Sequence, residues 1–258
     1  MLVLLSQIGT LLLSYCSKVG ESVIFAGQIL KQVIYFRVYY KNLVRDFIEI
    51  SFYSLVIVAL TSTFTGAVLT IHTQLGLEEF SDEKTLSHVV SVSIVRELGP
   101  VLIGIIIAAK TVTSTAAEIS SMKITEQIDA LRSFGISPYT YIIFPRILAS
   151  SIAFPMLAIV TDIVGIYGSY LTATTQLGYN NYQYAKYCVS AVSFHDLHVG
   201  LVKSFIFGML SSFIGCYYGF FSQRNTNGIA MATTGSIVMS LVIILSADYL
   251  ITLFFIYE

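Results

Sequence analysis

Five long apolar stretches, divided by short polar ones, set the pattern of this chain: roughly 50–71, 98–117, 146–172, 199–221 and 232–256. Each is long enough to cross a ~30 Å hydrocarbon core at about 1.5 Å per residue. Between the second and third stretches the period changes. Ile124, Ile128 and Leu131 recur at i, i+4 and i+7 and share one helical face, with Glu126, Gln127, Asp129 and Arg132 around them. Gly135 then suits a left-handed C-cap, and Pro138 bars continuation. The spacing predicts a short amphipathic helix over 122–134, outside the hydrocarbon. Residues 18–49 mix Lys31, Arg37, Lys41 and Arg45 with Ile34, Phe36, Val38, Leu43 and Val44. That mixture predicts a helix lying in the membrane interface.

Composition narrows the class. At 258 residues, 55% hydrophobic and 11% charged, with a mean hydropathy of +0.79, the chain reads as an all-α, multi-pass membrane protein forming one domain over 1–258. A net charge of -1 with scattered basic residues gives no nucleic-acid signal. Cys16, Cys188 and Cys216 make neither a disulfide framework nor a CxxC metal motif. The apolar start, MLVLLSQIGTLLLS, lacks the basic region of a cleaved signal.

Five spans put the two ends of the chain on opposite sides, and the basic residues orient them. Lys31, Arg37, Lys41, Arg45, Lys123, Arg132, Arg146 and Arg224 fall on one side. The acidic stretch with Glu78, Glu79, Asp82 and Glu83 falls on the other, as does the loop with Lys186 and Asp196. The N-terminus and the amphipathic helix are therefore expected in the cytoplasm.

Candidate chemistry is sparse. Gly104 to Thr111, GIIIAAKT, nearly matches the phosphate loop GxxxxGK[ST] but lacks its second glycine and lies within an apolar helix. No nucleotide hydrolysis is expected from this chain, and no metal or cofactor. HExxH, GxSxG and paired-carboxylate motifs are absent, and His72, His88, His195 and His198 make no metal spacing on any one expected helix. Ionisable residues at membrane depth are more informative, because burial costs several kcal/mol unless they are paired or hydrated. Arg96 and Glu97 stand at the outer mouth of the second span, as an ion pair, a polar rim for a headgroup, or both. Lys203 is expected to snorkel to an interface, and Asp162 and Asp248 to hydrogen-bond between helices. Gly215 and Gly219, and Gly165 and Gly168, are spaced for tight helix packing.

The central stretch resembles one family. Glu97-Leu98-Gly99-Pro100, Ala117-Glu118, Met122, Glu126 to Leu131, Pro138 and Pro145-Arg146 look like the signature of MlaE-type permeases, the membrane subunits of ABC systems that move phospholipid between bacterial inner and outer membranes. Weaker similarity runs from about Phe52 to Thr252. The chain departs from the family pattern at Lys110, Val112 and Ser120, over Arg224–Gly228, and at Ala230 and Met231, where the family tends to carry glycine or arginine. Looser helix packing is expected there.

The resemblance implies a homodimer in the inner membrane enclosing an apolar cavity for lipid tails. It also implies a cytoplasmic ATPase and a periplasmic MCE-domain protein as partners, and allows a small STAS-domain subunit. On this reading Val68, Leu69, Ile71, Leu98, Val101 and Leu102 face lipid tails, with Arg96 and Glu97 at the mouth. Glu118, Met122, Ile124, Glu126, Gln127, Ile128, Asp129, Leu131 and Arg146 couple to the ATPase, the apolar ones seated in its groove. The alternatives from other classes are an integral-membrane lipid-modifying enzyme, which calls for clustered His, Asp or Glu, and a structural scaffold, which has no use for a coupling helix.

Overall fold

The computed structural model describes residues 13, 16–17, 19–31, 39–77 and 82–256. Among them there is helix and no strand, and five helical rods are long and apolar enough to span a membrane. The backbone of a lipid-embedded segment must satisfy its own hydrogen bonds, which leaves helix as the solution for an open chain.

The first rod runs Tyr40–Gly76: α1 (Tyr40–Ser51), a 3₁₀ turn (Phe52–Ser54) and α2 (Leu55–Gly76). The expected interfacial helix over 18–49 is therefore divided. Residues 19–31 are helical, but Tyr39 leaves helical geometry at φ -78°, ψ 88°. Its ring packs edge-on against Tyr141, 4.8 Å away. From Tyr40 onward the helix is continuous with the first span. Lys18, Arg37, Ile34, Phe36, Val38, Glu78 and Glu79 lie outside the described residues.

The second rod, Glu83–Ile124, joins α3 (Glu83–Ser93) to α4 (Gly99–Ile124) through a π-helical turn at Ile94–Leu98. Pro100 explains the turn. Proline offers no N–H to a carbonyl one turn back, and a single wider turn absorbs the mismatch. The Gly99 N–H bonds Ile94 O, five residues back. The third rod repeats the device: a π turn at Tyr139–Ile143 precedes Pro145, and α6 spans Phe144–Thr175. The polar, tyrosine-rich stretch after it holds α7 (Asn181–Ala191), capped by the Asn180 side chain. Then come α8 (Phe194–Phe220), started by a Ser193/Asp196 capping box, and α9 (Thr226–Ile256).

α6 and α8 form the centre, while α2 and α9 are the most exposed rods. Without a hydrophobic drive between helices in lipid, close approach and cross-helix hydrogen bonds bind the rods together. Gly66 of α2 rests directly on the backbone of Gly165 in α6, and Gly168 on Thr63. Ser62 donates to Thr161 O at 3.0 Å and Ser150 to Gly208 O at 2.9 Å. The Gly215–Gly219 pair serves packing within the chain. A Cβ on Gly219 would lie 2.8 Å from Ile119 Cβ, and one on Gly215 3.1 Å from Thr115 Cβ. The looser packing expected from Val112 and Ser120 is thus overturned, because the glycines on α8 supply the close approach.

Candidate functional site

Charged side chains gather at the two ends of the bundle. One end carries the turn between the second and third rods. Here the amphipathic helix over 122–134 is corrected: α4 continues to Ile124, Glu126 adopts a left-handed conformation (φ 59°), and a separate α5 runs Gln127–Ser133. Met122 and Ile124 belong to the end of α4, so Ile124, Ile128 and Leu131 do not share one helical face. Ile128 is buried and Leu131 half-buried, both packed on a core with Phe25, Ile119, Phe144 and Cys216. Their apolar face is filled by the chain itself. What α5 presents outward is Glu126, Gln127 and the ring of Phe134, 80% exposed.

This elbow is braced against the end of α8. Lys123 donates to the carbonyl oxygens of Phe220 and Ser222, at 2.8 and 2.7 Å. A cation there meets the negative end of the helix dipole and caps its free carbonyls. Arg224 binds Asp129 at 2.7 Å, and Arg132 lies 5.6 Å over the Phe220 ring. At the start of α6, buried Arg146 binds Glu118 at 2.5 Å and Asp46 at 3.5 Å, and Arg45 adds 3.7 Å to Glu118. Three rods are thus joined at one end by ion pairs held partly out of water, where they are screened less than surface pairs. Of the expected coupling residues, Glu118 and Arg146 bind each other, Asp129 holds the α8–α9 loop, and Ile128 and Leu131 fill the core. Sequence reasoning missed Asp46 and the Arg224–Asp129 tie. An acid one turn before an apolar run, adjoining Arg45, was the available signal for Asp46.

The opposite end holds a second cluster. Lys203 is fully buried, with Nζ 2.5 Å from Glu97, 3.0 Å from Asp248 and 2.7 Å from Thr252 Oγ1. The expected snorkelling is overturned: Lys203 turns into the bundle because two carboxylates and a hydroxyl replace water there. Arg96 lies 3.9 Å from Asp196, which also caps α8. The π turn aims both charges of the Arg96-Glu97 pair at other helices. Asp162 differs from expectation: its Oδ1 is buried without a hydrogen-bond partner, packed against Gly99.

The expected tail-facing residues lie in two settings. Val68 and Ile71 are exposed on α2, whereas Leu69 packs toward Leu86, Val90 and Tyr184. Leu98, Val101 and Leu102 are half-buried at the start of α4, beside Glu97.

Ion clusters thus tie the rods together at both ends of one helical bundle, and its relatives show what kind of protein it is. The family model for the permease MlaE matches residues 43–254. A probable ABC transporter permease protein of Rickettsia felis is 37% identical over 251 residues, covering 97% of each chain. The chloroplastic protein trigalactosyldiacylglycerol 1 of Arabidopsis thaliana is 32% identical over 90% of this chain and 66% of its own length. The intermembrane phospholipid transport system permease protein MlaE of Haemophilus influenzae is 29% identical, over 96% of this chain and 95% of its own. With more than four-fifths of its length matched, this multi-pass membrane protein belongs to the MlaE permease family.

Proposed function

We propose that this chain is the permease subunit of an ABC-type phospholipid transporter, with ATP hydrolysed on a separate cytoplasmic subunit. The observation that carries this reading is the braced elbow. The elbow projects Glu126, Gln127 and Phe134 outward, while Lys123 and Asp129 fasten it to the end of α8 and the loop that follows, and Glu118, Arg146 and Asp46 tie α4 beside it to α6 and α1. A partner that pushes on such a tip moves three spans together, which a mere linker would not do. The names of the relatives, ABC transporter permease and phospholipid transport permease, agree with it.

The basic end faces the cytoplasm, and the membrane is a bacterial inner membrane. Two copies face each other, and lipid tails lie between Val68 and Ile71 of α2, with Leu69 behind them, and Leu98, Val101 and Leu102 at the start of the second span. Arg96 and Glu97, tied to Asp196 and Lys203, stand at the outer mouth, where an MCE-domain protein would receive or deliver lipid. A STAS-domain subunit would sit with the ATPase.

The test is purification of the full chain from its own membrane, with mass spectrometry of what accompanies it. An ATPase in near-equal amount and retained glycerophospholipid are expected. A folded chain that emerges with neither overturns the proposal.

A further inference from the structure

Lys110 has no place in the site above, although it is the one charge in the apolar stretch of the second span. It lies fourteen residues before Ile124, roughly 21 Å along the helix from the basic end. An ammonium at that depth is costly unless something answers its charge. Within the chain its Nζ finds the Ser54 hydroxyl, at 2.9 Å.

Lys110 tops a polar stripe. Lys110, Ser114 and Glu118 follow at i, i+4 and i+8 on one face of α4. Facing them, Arg45, Glu49 and Tyr53 follow at the same spacing along α1 and the 3₁₀ turn. The stripes touch at both ends, through Arg45–Glu118 (3.7 Å) and Lys110–Ser54 (2.9 Å). Between them runs an open groove of about 430 Å³, lined by Arg45, Ile48, Glu49, Tyr53 and Lys110. That volume is on the scale of small-molecule sites, about 300–1,000 Å³. A smaller cavity of about 50 Å³ shares Glu49 and Lys110 with the groove and ends on Arg146. Arg146 is buried, and its Nη1 has no hydrogen-bond partner.

The charges select the occupant. Asp46 and Glu118 are answered by Arg146 and Arg45. Lys110 is left with a hydroxyl, and Glu49 with no ion pair among the described residues. One unanswered cation and one unanswered acid across a groove complement a zwitterion. A phosphate would lie on Lys110 and an ammonium on Glu49, both of which line the groove. The apolar partners for acyl chains continue outside the groove, where Val56, Ile57, Leu60 and Phe64 are exposed in succession.

We infer that the groove between α1 and α4 is a second lipid site, distinct from the outer pocket. It is a polar track that carries the headgroup of a zwitterionic aminophospholipid between the basic-end leaflet and Lys110, while the acyl chains stay against α2. The inference rests on the lipid-permease reading and assigns that activity a lateral route on its cytoplasmic half.

The full chain, carrying a photo-crosslinking amino acid in place of Tyr53, is reconstituted in vesicles of phosphatidylethanolamine with a ³²P-labelled fraction. A second preparation carries the crosslinker at Leu102, in the outer pocket. Labelling from Tyr53 is expected. Lys110→Met should reduce it about tenfold, the loss expected for a charge-assisted hydrogen bond, whereas Lys110→Arg should retain it and labelling from Leu102 should not change. A radiolabelled diacylglycerol probe should label Tyr53 far less. Equal labelling by diacylglycerol marks ordinary boundary lipid and overturns the track. So does displacement by excess inorganic phosphate, which marks a free-anion site, and so does crosslinking of Tyr53 to a second copy of the chain. Labelling at Leu102 without Tyr53 rejects the track alone; labelling at neither, in folded protein, rejects the lipid-permease reading as well.

Discussion

The ammonium of Lys203 lies 2.5 Å from the carboxylate of Glu97, a residue 106 positions earlier in the chain. Asp248 completes the cluster from α9 at 3.0 Å, so three rods meet on one buried cation. Its members are unequal. Removing Glu97 leaves Lys203 paired with Asp248, whereas removing Lys203 leaves two carboxylates facing each other. Breaking a buried pair costs about 3–5 kcal/mol, chiefly through the charge left behind. Lys203→Met is therefore expected to lower the thermal unfolding midpoint well below that of Glu97→Gln, measured in the same detergent. Equal midpoints would mean that Asp248 contributes nothing.

Helix contact at Gly66 makes a second prediction. A methyl there would overlap the backbone of Gly165, which cannot move aside as a side chain would. Gly66→Ala should separate α2 from α6 and reduce the yield of monodisperse protein on size exclusion. Gly76→Ala, at the end of the same helix with open space around it, should leave the yield unchanged.

Much of this was legible in the residues. Apolar runs longer than a bilayer core announced the five rods, and the spacing of Gly165 and Gly168 announced where α6 packs closely. Two features were not. The break before α5 rests on Glu126, at φ 59°, where a glycine would have signalled a left-handed residue and a glutamate does not. The fate of Lys203 depends on Glu97 and Asp248, which are distant in sequence and are brought to it by packing. Hydropathy alone placed it near an interface, and the ion cluster decided otherwise.

That break yields a third prediction. A non-glycine residue in the left-handed region costs about 1–2 kcal/mol. Glu126→Gly should therefore keep or raise the unfolding midpoint, while Glu126→Val, β-branched and poorly suited to positive φ, should lower it. If the break also transmits force, the glycine variant should hydrolyse ATP with its partner yet move less lipid per ATP. Unchanged coupling would make the break a matter of geometry only.

The elbow divides support from contact. Leu131 fills the chain's own core, so Leu131→Asp is expected to cost stability. Phe134 is 80% exposed, so Phe134→Ala should leave the unfolding midpoint unchanged and weaken ATPase binding, by roughly tenfold or more if the ring is a buried anchor in the complex. Titration of the ATPase onto detergent-solubilised variants measures it. Full affinity with Phe134→Ala would place the contact elsewhere.

ATP hydrolysis on the subunit docked at the elbow is expected to change how lipid is held at the far mouth. The most direct measurement places a photo-crosslinking residue at Leu102, reconstitutes the full complex with its ATPase, and follows labelling by phosphatidylethanolamine before and during ATP turnover. The account predicts labelling at rest that changes severalfold during turnover, with the change abolished by Arg224→Ala combined with Lys123→Met, which unfasten the elbow from α8. Labelling that is absent in the folded complex, or that stays the same whether or not ATP is hydrolysed, would contradict it.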